Sequence, residues 1–175
     1  MTNNIYDGDS PNEYQVRVRL PWLPGTDESF WARIMTPMAG NDRGTYFLPE
    51  VDDQVLVMFL NGDIRKPLIV GGLYSEKQPP PELNRQGENN LRLIKSKSGH
   101  RIVLDDTDGA ERITIVDSTK NNKIVIDSAG KSITVQSASG DIQISAEKTV
   151  RIHGKTVKMT ASNSFSASAG TSADI

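Results

Sequence analysis

Residues 101–135 read RIVLDDTDGAERITIVDSTKNNKIVIDSAGKSITV, and this stretch decides the fold. A triplet recurs in it: two aliphatic residues with one other residue between them, flanked by polar residues and glycines. Because side chains alternate between the two faces of a strand, each triplet predicts a short strand with both aliphatic side chains on one face. The pattern extends to nine pairs, spaced by 11, 11, 11, 9, 9, 8, 7 and 8 residues: Leu91/Leu93, Ile102/Leu104, Ile113/Ile115, Ile124/Ile126, Ile133/Val135, Ile142/Ile144, Val150/Ile152, Val157/Met159 and Phe165/Ala167.

A single copy of this repeat cannot stabilise itself. Burying one aliphatic side chain contributes roughly 1.5–3 kcal/mol. Ordering the backbone costs about 1–2 kcal/mol for each of the residues in a repeat unit. Another surface must therefore cover the aliphatic pairs, and the strand edges need hydrogen-bonding partners.

Three identical chains wound about one axis would provide both. We therefore expect a homotrimeric, triple-stranded intertwined β-helix over residues 91–175, a needle on the order of 40 Å long. Its core would be the pairs named above up to Val157/Met159, together with Phe165. The alternative is a single-chain β-solenoid with three strands per coil, since repeats of this size also fit solenoids. The mass in solution separates the two.

The first half of the chain predicts a different all-β domain, a five-stranded barrel of the oligonucleotide/oligosaccharide-binding (OB) type over residues 13–76. Predicted strands cover residues 14–20, 30–35, 44–49, 55–60 and 68–70. Asn61-Gly62 follows the fourth of these and is a strong hairpin signal.

Composition separates the halves. Nine of the ten aromatic residues lie at or before Tyr74, and all nine prolines lie at or before Pro81. Residues 1–90 carry 8 basic and 13 acidic side chains, whereas residues 91–175 carry 12 and 9. Residues 1–12 form a polar N-terminal segment, and residues 77–90 form a stiff proline-rich linker. The chain has no cysteine, which excludes disulfides and thiolate chemistry, and no apolar run long enough to span a membrane.

Several segments together resemble the spike family of contractile injection machines, which includes phage baseplate assembly protein V, the VgrG proteins of type VI secretion and the spikes of extracellular injection particles. The similar segments run from about Glu13 to Val116, and they are residues 16–23, 30–33, 46–57, 71–74 and 98–107. The resemblance implies an OB barrel followed by a trimeric needle that perforates a target envelope.

The same resemblance implies the partners and the location. A separate hub protein would hold the barrel, because only about a dozen residues precede it here whereas VgrG chains carry a large hub domain before theirs. A PAAR-like tip protein would bind the C-terminal end, and we expect it at Ser166, Ala167, Ser168, Ala169 and Gly170. An alternative for this small-residue stretch is a frayed tail. The particle would assemble in the bacterial cytoplasm and act at the target envelope.

We expect no enzymatic activity, no cofactor and no metal. His100 and His153 do not form the His-x-His pair that closes the apex of some phage needles. Asp105-Asp106-Thr107-Asp108-Gly109 lacks the further ligands of a calcium loop and predicts a turn. Glu50, Asp52 and Asp53 cluster without a predicted cleft, so glycosidase chemistry is not indicated.

The alternative function is an OB module that binds nucleic acid or a glycan and carries a trimerising β-helical stalk. Stacking residues would be Trp22, Phe30, Trp31 and Tyr46, with charge from Arg17, Arg19 and Arg33. The excess of acidic residues in the first half disfavours phosphate binding, so we expect no nucleic-acid partner.

Overall fold

The computed structural model describes residues 14–23, 28–168 and 170, and its regular elements are strands and one short 3-10 turn. The all-β prediction is therefore confirmed. The predicted N-terminal segment, residues 1–12, lies outside the described residues. Within the described ranges, no helix is long and apolar enough to cross a membrane. The chain divides into two compact units, Met1–Glu88 and Asn89–Ile175.

The first unit is built on a four-stranded sheet with the order β1-β2-β6-β5. The β2–β6 pair is parallel, and the β1–β2 and β5–β6 pairs are antiparallel. A β-bulge at Leu56/Val57 bends strand β5. The strands are β1 (Gln15–Val16), β2 (Ala32–Ile34), β5 (Gln54–Phe59) and β6 (Pro67–Leu73), with a separate hairpin of β3 (Ala39–Gly40) and β4 (Arg43–Gly44).

The core of this unit is formed by side chains that alternate with exposed ones along the chain. Val16, Val18 and Leu20 are buried, whereas Arg19 between them is exposed, as expected for a strand with one inward face. Ala32 and Ile69 complete the buried cluster. These sheets are consistent with an OB-like domain.

The third predicted barrel strand, residues 44–49, is wrong. Gly44 ends the β3–β4 hairpin, where the Thr45 N–H donates to the Met38 carbonyl at 3.0 Å, and residues 45–50 form no strand. Pro49 lacks an N–H donor, which disfavours a ladder there. Tyr46 and Phe47 have high strand propensity but are exposed.

The fourth and fifth predicted strands are present. The turn between them is longer than a two-residue hairpin, since Leu60–Gly62 forms a 3-10 turn with Asn61 at φ 53°. The loop closes where the Leu60 N–H donates to the Lys66 carbonyl at 3.1 Å.

The first residues of the predicted linker form hydrogen bonds with the first unit. Ser75 and Gln78 exchange two backbone hydrogen bonds of 3.0 and 3.1 Å. The Gln78 side-chain amide donates to the Asp52 carbonyl at 3.3 Å.

The second unit is an antiparallel meander with the strand order β11-β10-β9-β8-β7. Each strand pairs with the next along the chain, so the connections are short hairpin turns. The strands are β7 (Leu91–Lys95), β8 (Arg101–Asp105), β9 (Arg112–Val116), β10 (Asn122–Asp127) and β11 (Ser132–Ser137). Each coincides with one of the first five predicted triplets.

The last four predicted triplets do not form strands within the single chain. Between Ser139 and Ser168, no described residue makes a backbone–backbone hydrogen bond. The backbone there keeps negative φ at every described non-glycine residue. The segment therefore has strand-like alternation in its sequence without a ladder partner in its own chain.

Candidate interaction surface

Strand register brings the aliphatic residues of the second unit into two rows across one face of the sheet. Directly paired residues of antiparallel strands lie on the same face. The first row follows the register through the five strands as Ile94, Ile102, Ile115, Ile124 and Val135. The second row contains Arg92, Leu104, Ile113, Ile126 and Ile133. We call the nine apolar members of these rows the aliphatic face.

The aliphatic face is open to solvent in the single chain. Its exposed fractions run from 40% at Ile113 and Ile124 to 73% at Ile133. A groove of about 620 Å³ runs over the first row and reaches Ile142 beyond the last strand. Soluble monomers rarely expose a contiguous apolar patch of several hundred Å². Covering the exposed halves of nine such side chains would contribute on the order of 10 kcal/mol per chain.

The opposite face of the sheet is mixed. Val103, Thr114, Val125 and Thr134 are the central residues of their triplets and point away from the aliphatic face. One predicted pair is misplaced. Leu93 pairs with Val103 and Leu91 pairs with Asp105, so both leucines lie on this mixed face. Ile94, and not a member of the predicted pair Leu91/Leu93, lies across from Ile102 on the aliphatic face.

Aspartate side chains close the hairpin turns and so hold the register. The Asp105 carboxylate accepts hydrogen bonds from the Thr107 hydroxyl at 2.6 Å and the Thr107 N–H at 3.1 Å. Arg112 adds an ion pair at 3.1 Å. Asp105 is nearly buried, and these contacts, chiefly the Thr107 hydroxyl, outweigh desolvation and lower the pKa of its carboxyl.

The next two turns use the same chemistry. Asp117 accepts from the Thr119 hydroxyl at 2.7 Å and from the Asn122 side-chain amide at 3.0 Å. The Thr119 hydroxyl is the largest cause that lowers the pKa of the Asp117 carboxyl. Asp127 accepts from the Gly130 N–H at 2.6 Å. The acidic run 105–108 is therefore part of a turn, in which Gly109 adopts φ 72°.

Beyond the sheet, the remaining predicted core residues are exposed in the single chain: Ile142, Ile144, Val150, Ile152, Val157, Met159 and Phe165. Of the predicted tip-docking residues, Ser166, Ala167, Ser168 and Gly170 are exposed, and Ala169 lies outside the described residues. The structure therefore leaves both sets accessible.

The two histidines have different surroundings. The His100 imidazole accepts a hydrogen bond at Nδ1 from the Ser118 N–H at 3.1 Å, which ties two neighbouring turns together. His153 is exposed. Among the residues that the structure describes, no three histidine, cysteine or acidic side chains are close enough to hold a metal ion.

The aromatic and basic residues of the first unit do not form one open stacking platform. The Arg17 guanidinium lies 4.5 Å from the Trp31 ring and forms an ion pair with Glu28 at 3.3 Å. Tyr46 packs against Tyr14, with ring centroids 5.1 Å apart. Trp22 and Phe30 are exposed, at 63% and 56%.

The other residues considered for nucleic-acid binding or glycosidase chemistry in this unit lie on its surface or in a turn. Arg19 and Arg33 are exposed. In the acidic cluster, the Asp53 carboxylate accepts a hydrogen bond from the Glu50 N–H at 2.8 Å, as in a turn. Asp52 occupies a left-handed conformation at φ 72°.

Fold and surface together define an all-β protein with an OB-like domain and a repeat unit whose aliphatic face is exposed in the single chain. Residues 5–74 match the family model of the type VI secretion system/phage-baseplate injector OB domain. Together with the relatives described next, this match supports a VgrG-like baseplate and spike family for the chain.

Three relatives illustrate the likeness. The chain is 28% identical to type VI secretion system spike protein VgrG1a of Pseudomonas aeruginosa over 130 residues, which is 68% of this chain and 20% of that protein. It is 34% identical to VgrG4b of the same organism over 110 residues, 58% of this chain and 14% of that protein. It is also 34% identical to actin cross-linking toxin VgrG1 of Vibrio cholerae over 71 residues, 38% of this chain and 6% of that protein. The chain thus spans a fifth or less of the length of these relatives.

Proposed function

We propose that this protein is the central spike of a contractile injection machine, in which three copies form a needle at the tip of the tube and pierce a target envelope. The observation that carries the proposal is the aliphatic face. It is too apolar to remain in water, and it belongs to a chain whose relatives are named as spike proteins.

In the proposed needle, three copies turn their aliphatic faces toward a common axis. Each meander forms one wall of a three-sided prism, with its strands running across the wall. Nine aliphatic side chains per chain then fill a narrow interior, and the mixed faces point to solvent. Such closed arrangements remove the apolar surface that an isolated wall would expose.

The distal segment, residues 139–168, differs from the walls because it has no backbone hydrogen-bonding partner among the residues that the structure describes. We propose that it pairs with the corresponding segments of the other two copies as a triple-stranded β-helix. The free edge of strand β11 offers the first rung, where Ile142 and Ile144 continue the spacing of Ile133 and Val135.

The proposed role is mechanical and non-enzymatic. A rod whose strands are paired along its whole length has few sites for local opening, so it can transmit an axial load. The OB-like domain would dock on a separate hub protein, and the segment around residues 160–175 would bind a PAAR-like tip protein. Assembly would take place in the bacterial cytoplasm, with delivery to or through the target envelope.

The direct test is the mass of the purified full chain by light scattering, repeated in detergent at room temperature. We expect a trimer of 19.2 kDa chains that survives the detergent. A 19.2 kDa particle with its distal half still well ordered would refute the proposal. Deleting residues 161–175 should abolish recovery of a complex with the tip protein while leaving the trimer intact.

A further inference from the structure

Four exposed basic residues follow one another in the distal segment: Lys148, Arg151, Lys155 and Lys158. We propose that this group, the basic collar, binds the anionic phosphates of lipid headgroups on the target membrane. The inference rests on the proposed trimeric spike, because three copies of the collar are then brought around one rod.

The collar is a local concentration of positive charge. Residues 148–158 contain these four basic side chains and no acidic one, and residues 159–168 carry no charge. All four side chains are exposed. Within the described ranges, none of them forms an ion pair or a hydrogen bond with the rest of the chain. Their charges are therefore available to a partner.

The register of the meander indicates where these charges point. In the second to fourth triplets the central residue lies opposite the aliphatic face, as the pairing of Val103, Thr114 and Val125 demonstrates. The central residues of the triplets are uncharged from Val103 through Gln143 and become basic at Arg151 and Lys158. If Val150, Ile152 and Val157 point toward the axis, both cations project outward. The change from neutral to basic thus falls on the outer surface of the distal rungs.

The chemistry favours a lipid surface over a nucleic acid. Single-stranded nucleic acids are held by aromatic side chains on which bases stack, in addition to basic charge. No aromatic residue lies between Tyr74 and Phe165. Lysine-rich clusters without aromatics are attracted to anionic membrane surfaces, and each basic side chain contributes about a fivefold factor to binding.

The test compares two double variants of the full chain in sedimentation with vesicles. One removes two collar charges, Arg151→Gln with Lys158→Gln. Its matched control removes two exposed charges from turns of the meander, Lys120→Gln with Lys131→Gln. The probes are vesicles of phosphatidylglycerol and phosphatidylcholine, vesicles of phosphatidylcholine alone, and a short single-stranded DNA, each at low and at high salt.

We expect the unaltered protein to bind the anionic vesicles at low salt, and much less at high salt. The collar variant should lose at least about tenfold in binding and the control variant less than about twofold. Equal losses in both variants, no binding to anionic vesicles, or equally tight binding to DNA would each overturn the inference. Light scattering on the same samples separates the two proposals: trimers that do not bind refute only the collar, whereas monomers that bind through it refute only the trimeric spike.

Discussion

Replacing Ile133 with aspartate tests the trimer directly. Ile133 ends the second aliphatic row and is 73% exposed in the single chain, where a polar substitution changes stability by no more than about 0.5 kcal/mol. In a trimer the same change removes on the order of 2 kcal/mol of apolar burial per chain. It also places three carboxylates near one axis, which costs several kcal/mol more unless they are protonated. The loss per trimer is therefore on the order of 10 kcal/mol.

Thr134→Asp is the matched control, because it introduces the same residue into the same strand on the opposite, exposed face. The net charge changes equally in the two variants, and both replaced residues are β-branched, a type enriched in strands. Light scattering should detect monomers of Ile133→Asp and trimers of Thr134→Asp, and circular dichroism should report strand content in both. Trimers of Ile133→Asp that resist detergent as the unaltered protein does would refute the reasoning, as would equal disruption by the control.

Three further outcomes follow from the structure. Asp105→Asn should lower the free energy of unfolding by about 1–2 kcal/mol at pH 7. Because the pKa of Asp105 is lower in the folded than in the unfolded state, its contribution is present above the unfolded pKa and is lost as the pH falls through the folded pKa. Urea titrations of the variant and the parent protein should therefore give the same stability in acid. Gly44→Ala should destabilise the OB-like domain in thermal melts, since Gly44 has φ 147° and an added Cβ would lie 2.4 Å from the Met38 carbonyl oxygen, whereas an unchanged melting temperature would contradict this geometry. In hydrogen exchange, the amides of strands β8 to β10 should be protected both in the trimer and in monomeric Ile133→Asp. The amides of residues 139–168 should be protected only in the trimer. Protection of residues 139–168 in the monomer would count against interchain pairing.

Sequence reasoning succeeded where strands pair with their neighbours along the chain. Each triplet of strands β8 to β11 places two aliphatic residues on one face and a single valine or threonine on the other, so the two faces could be assigned from the sequence alone. Strand β7 has apolar residues on both faces, and the Ser96–His100 turn sets its register. That turn depends on hydrogen bonds at 2.9 and 3.0 Å that the residue types alone do not specify. The position of Ile94 in the first row was missed for this reason.

The other differences also have local physical causes. Residues 44–49 contain Tyr46 and Phe47, which favour a strand, but residues 45–49 pair with no strand that the structure describes, and Pro49 lacks an N–H donor for a ladder. The distal triplets have no ladder partner among the residues that the structure describes, so sequence alternation alone did not decide whether they form strands. Trimer formation, the hub, the tip protein and the needle core therefore stay predictions, whereas the structure shows the all-β class and the family-model match and the relatives support the VgrG-like family.

The aspartate-closed turns of the second unit have a consequence for biogenesis. Every ladder contact in the meander joins segments adjacent in the chain, and such low contact order gives fast folding. A nascent polypeptide can thus complete its own panel before it encounters a sister molecule. In the proposed trimer, the encounter would then only have to align three folded meanders, after which the distal segments 139–168 would pair with one another.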